Sequence, residues 1–75
     1  MILTLDSLKE GQIGIVKRVL LNEKKQAKLS HLGLVKHACI QNRFSSVFGS
    51  PIAYQIHGTI FALRNEDAKK IEVEV

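Results

Sequence analysis

His31, His37 and Cys39 lie within nine residues of one another and carry side chains suited to holding a transition metal. A strand starting near Ala38 would put His37 and Cys39 on one face, where they could serve an iron-sensing site. A structural zinc site typically takes four ligands, however, and no second Cys or His pair supplies the others. The expectation is surface-exposed histidines and a small buried thiol. Nucleophilic catalysis needs a serine or cysteine beside a base that a third polar group orients. Cys39 has no such motif around it, and Ser45 and Ser46 fall in an expected loop. Gly11-Gln12-Ile13-Gly14 lacks the lysine and hydroxyl residue of a phosphate-cradling loop. His57 flanks a turn and should face solvent, away from Ile52, Tyr54 and Ile56. These residues describe a non-enzymatic protein with no cofactor and no resident metal.

Charge is the stronger signal. The chain carries a net +4, but Lys17 to Arg43 holds seven basic residues against Glu23 alone, +6, leaving −2 elsewhere. One side should therefore attract an acidic protein face, anionic headgroups or nucleic acid. Single-strand binding relies on aromatic platforms among the cations. Only Phe44 and Phe48 come near the basic stretch, and there is no tryptophan. A small basic nucleic-acid-binding barrel is thus the alternative, and protein contact the first reading. The candidate partner-binding residues are Lys24, Lys25 and Lys28 on a basic helix face, and Val47 and Phe48 as an apolar loop.

The elements that would position these residues follow from patterning. Leu5 to Gly11 predicts a single turn closed by glycine, with Leu5 and Leu8 to one side. A strand follows in which Ile13, Ile15 and Val19 alternate with Gly14, Val16 and Arg18, Lys17 interrupting the apolar face. Asn22 caps a helix reaching Leu32, and Gly33 ends it with Leu34 back on Leu29. Leu29 and Leu32 then face inward. The next strand should put Ala38, Ile40 and Phe44 on one face and Cys39, Gln41 and Arg43 on the other, before a loop from Ser45 to Ser50. Ile52, Tyr54 and Ile56 open a hairpin turned at Gly58-Thr59 and closed by Ile60 to Leu63. Asn65 caps a short helical turn, and Ile71, Val73 and Val75 form a last strand, whose apolar edge could pair between copies as a homo-oligomer.

Short strands, hairpin connections and no alternation of strand with helix predict a mainly β protein. The expected fold is a small SH3-like five-stranded antiparallel barrel with one intervening α-helix and a short C-terminal helical turn, in a single domain over residues 1–75. A chain of this size buries about 60% of its unfolded surface, so its core is thin. No run approaches the roughly 20 apolar residues of a spanning helix. The first residues do not resemble a secretory signal, and the lone cysteine suits a reducing compartment, so the expected location is cytoplasmic.

The order of these parts resembles the ferrous iron transport protein A family. The carriers are Leu5-Asp6-Ser7-Leu8 with Gly11, Leu29-Ser30-His31-Leu32-Gly33-Leu34, Gly49-Ser50-Pro51-Ile52, Gly58, and Ile60-Phe61-Ala62-Leu63-Arg64 leading to Ala68 and Ile71-Glu72-Val73. The chain departs from the family pattern at His37, where a glycine is usual after the helix exit, and at Ser50, where an aspartate commonly precedes the proline. The resemblance implies an accessory protein of bacterial ferrous iron uptake, acting on the cytoplasmic GTPase region of an FeoB-like membrane transporter. It implies no catalytic residues.

Overall fold

The computed structural model describes residues 1–45 and 50–75. Local signals formed as read around the helix. Asn22 Oδ1 accepts the Lys25 backbone N–H at 2.8 Å and starts α1, Glu23–Ser30. At the exit Gly33 adopts φ +96°, the Leu34 N–H donates to Leu29 O at 3.1 Å, and the Gly33 N–H to Ser30 O at 3.0 Å. That bond pair is a Schellman ending, and it turns Leu34 into the core behind Leu29.

Six strands rather than five make one antiparallel sheet: β1 (Ile2–Thr4), β2 (Ile13–Val19), β3 (Cys39–Ser45), β4 (Ile52–Ile56), β5 (Thr59–Leu63) and β6 (Ile71–Glu74). Their order is β1-β6-β2-β3-β4-β5. The additional strand, β1, is three residues long and forms only by pairing with β6. A 3₁₀ turn at Leu5–Ser7 and a short helix α2, Asn65–Ala68, complete the fold. The last strand is not an edge, because β6 is enclosed between β1 and β2. Asn65 is not a cap either: Arg64 holds that position, and the Asn65 backbone N–H instead donates to Ser50 Oγ at 3.3 Å.

One expected strand face is reversed and a second is broken at its last residue, Ala38 and Ile40 lying inward with Cys39 and Arg43 outward as expected. On β2, Gly14 and Val16 are buried while Ile13 and Ile15 are exposed. Gly14 is small because β6 crowds it; a Cβ there would stand 3.1 Å from Val73 Cβ. On β3 a register shift between Asn42 and Phe44 turns Phe44 outward over Ala53, leaving it 55% exposed. Asn42 takes the inward place and donates from Nδ2 to Leu8 O at 2.9 Å. The core gathers Leu5, Val16, Ile40, Tyr54, Ile56, Ile71 and Val73 with Leu29 and Leu34 from the helix side.

Candidate partner-docking surface

The chemistry-bearing side chains are placed apart. Cys39 begins β3 on the outer face opposite Ile15, and is exposed rather than the small buried thiol expected. His37 does not share its strand face: it lies in the preceding turn with φ 76°, its N–H donating to Val16 O at 2.8 Å. His31 is exposed beyond α1. Among the described residues no three His, Cys, Asp or Glu side chains converge on a metal-sized space.

Much of the basic stretch is neutralised by the C-terminal acids, which the linear charge count hides. Lys17 Nζ lies 2.9 Å from Glu74, Arg18 Nε 3.2 Å from Glu72, and Lys25 Nζ 2.9 Å from Asp67. The Lys17 ammonium holds the Glu74 carboxyl below its ordinary range by hydrogen bond and charge, and Asp67 raises Lys25 in the same way. Of the three helix lysines expected to face solvent, Lys25 is therefore tied to α2, while Lys24 and Lys28 stay exposed without an ion-pair partner among the described residues. Val47 and Phe48 lie outside the described residues.

Between α1 and β5 runs a groove of about 300 Å³ lined by Leu29, Leu32, Phe61 and Leu63, with Lys25, Lys28, Arg64 and Asp67 at its rim. Phe61 is seated against the buried Tyr54, ring centroids 6.5 Å apart, so the floor is preformed. Sequence reasoning placed Lys25 and Lys28 on this surface but had no means of finding Arg64 or the apolar floor. A second groove of about 380 Å³ lies between β2 and α1, but its Lys17 and Arg18 are the residues already paired with Glu74 and Glu72.

The wall formed by β5 has a further property. His57 and Gly58, not Gly58 and Thr59, form the two-residue loop, with φ 49° and 85°. Both values are positive, which is the type I′ hairpin that matches strand twist. His57 is accordingly a solvent-facing corner, as expected, though within the turn. The pair flanking such a loop, Ile56 and Thr59, exchanges both backbone hydrogen bonds, and the pairing alternates from there. Phe61 and Leu63 thus spend their N–H and C=O on β4, whereas those of Ile60 and Ala62 point away from it. β5 ends the sheet, and nothing among the described residues bonds those outward groups.

Comparison with known proteins agrees with this architecture. The chain aligns with an iron uptake regulatory protein, FeoA, at 30% identity over 99% of this chain and 97% of that one, TM-score 0.87. The FeoA protein from Chlorobium tepidum superposes with TM-score 0.93 at 27% identity, covering 97% of this chain and 70% of that one. FeoA from Stenotrophomonas maltophilia, solved with zinc and described as a prokaryotic SH3 domain protein and candidate activating factor of ferrous iron transport, gives TM-score 0.82 at 29% identity over 96% and 89% of the two chains. No curated protein matches the sequence. An SH3-like sheet, paired neighbours of that description and a FeoA domain model matching residues 3–75 together establish that this chain belongs to the FeoA family of ferrous iron transport proteins.

Proposed function

We propose that this chain is a non-enzymatic accessory protein of ferrous iron uptake. It works in the cytoplasm by binding the GTPase region of an FeoB-like membrane transporter, and it takes no cofactor. The observation that carries the reading is the FeoA match over residues 3–75. The surface chemistry supports it: a preformed apolar groove with cations at its rim suits protein contact, and no helix among the described residues is long and apolar enough to cross a membrane. Membrane association would then come through the partner. Co-purification with the transporter's soluble GTPase region and with the whole transporter, with and without guanine nucleotide, tests this. Binding in either arm is expected; its absence from both would overturn the reading.

The alternative of nucleic-acid binding is not favoured by the structure, since three cations of the basic stretch are already paired. Phosphate contacts would show as a steep loss of affinity with added salt in filter binding. Iron sensing through His37 and Cys39 would show as stoichiometric ferrous uptake in anaerobic calorimetry.

A further inference from the structure

We propose that β5 accepts an extended, acidic segment of a partner protein as an added strand, with the segment's apolar side chains in the α1–β5 groove. The inference rests on the docking reading for the partner's identity, but its chemistry comes from the groove. Three observations carry it. The outward N–H and C=O groups of Ile60 and Ala62 offer a ladder with no partner among the described residues, and strand addition satisfies such groups directly. Leu29, Leu32 and Phe61 beside that ladder provide an apolar surface for alternate side chains of the incoming strand. The rim carries Lys25, Lys28 and Arg64 against Asp67 alone, a net +2, which selects carboxylates at the ends of the segment.

The same charges argue against a second copy of this chain as the occupant. Symmetric pairing of β5 with β5 would lay Thr59 to Arg64, a segment with no carboxylate and one cation, beside a rim that already carries a net +2. The chain's own acidic strand, β6, with Glu72 and Glu74 alternating with Ile71 and Val73, is enclosed between β1 and β2 and cannot be offered.

The test uses a short acetylated and amidated peptide of alternating valine and threonine with glutamates at each end, titrated into the isotope-labelled protein. Saturable binding is expected, with the largest amide shifts at Ile60 and Ala62. The same peptide with lysines in place of the glutamates should bind at least roughly tenfold more weakly. Ala62→Pro removes an outward N–H without touching the β4 ladder, and should abolish binding in a protein whose circular dichroism is unchanged. Should that variant fail to fold, the double substitution of two exposed side chains, Lys28→Glu with Arg64→Glu, decides instead: binding of the glutamate peptide should fall at least roughly tenfold. Peptide binding indifferent to these variants would overturn the proposal. So would dimerisation in sedimentation that Ala62→Pro abolishes, since the edge would then serve a second copy. A transporter region that binds both variants as tightly as the parent protein overturns the groove and leaves the proposed function standing. Peptide binding at Ile60 and Ala62 without any transporter binding sustains the groove and removes that function.

Discussion

Gly33→Ala is the substitution whose cost can be worked most directly, and it bears on the groove because Gly33 holds the α1 exit against the β4–β5 hairpin. Its φ of +96° is one that a residue with a side chain enters at about 1–2 kcal/mol. The new Cβ would stand 3.1 Å from Ile56 Cγ2, and Ile56 is 1% exposed, so the neighbour has little room to yield. Overpacking of that kind adds at least about 1 kcal/mol, giving a total on the order of 3 kcal/mol. For a domain of this size that is a fall in Tm of about 10–20 °C. Gly58→Ala supplies the control: φ is again positive, 85°, but no atom lies within 4 Å of its Cβ, so only the backbone cost applies, about 1–2 kcal/mol. Urea unfolding followed by far-ultraviolet circular dichroism measures both. Equal losses in the two variants would refute the reasoning, because they would mean that the helix exit is not pressed against Ile56.

Tyr54 is buried, with its hydroxyl donating to Leu5 O at 3.4 Å, and burial, aided by the Asp6 charge, pushes its phenol well above the ordinary 10.0. The unfolded chain therefore loses this proton first as pH rises, so stability should hold below pH 10 and decline above it, by up to about 1.4 kcal/mol per pH unit. Because Tyr54 is the chain's single tyrosine, phenolate absorbance should appear together with unfolding, and Tyr54→Phe should flatten the alkaline loss. His37→Gly should raise stability by about 1 kcal/mol in urea unfolding, since φ 76° suits glycine at no steric cost. The same variant should leave ferrous binding by calorimetry unchanged. Lys17→Met should return the Glu74 carboxyl toward its ordinary value in an NMR titration. The parent's contribution from that pair, present above the ordinary carboxylate pKa and lost as pH falls through the depressed one, should shrink with added salt.

What the sequence shows about this fold is what short-range physics decides. The Asn22 cap, the Gly33 exit and the inward Ile52, Tyr54 and Ile56 each depend on neighbours a few positions away. The reversed face of β2 and the outward Phe44 of β3 depend instead on Val73 crowding Gly14 and on an extra residue in the β3 ladder, neither of which leaves a periodic trace. The candidate site was half legible for the same reason. A basic face on α1 follows from spacing, but the pairing of Lys25 with a carboxylate 42 residues away does not. Nor can a linear reading show that Arg64 and Phe61 come alongside Lys28, or that β5 rather than β6 ends the sheet.

That ion pair permits a test that ordinary damage to the groove would not mimic. Asp67 is the one acid lining the groove and accepts a hydrogen bond from Lys25 Nζ at 2.9 Å. Asp67→Asn keeps the side chain's shape and leaves an amide oxygen to accept from Lys25, yet raises the rim charge by one. Both partners of the pair are at least partly solvated, with side chains 50% and 22% exposed, so folding should be little affected. Binding of the glutamate-ended peptide should tighten, by roughly two- to threefold for one added charge at about 6 Å in a watery environment. In about 1 M salt, where screening acts within about 3 Å, the gain should vanish. A substitution that merely disturbed the docking surface would weaken binding at every ionic strength. Unchanged or weaker binding at low salt would therefore show that the rim charge does not select the partner, whatever the groove accepts.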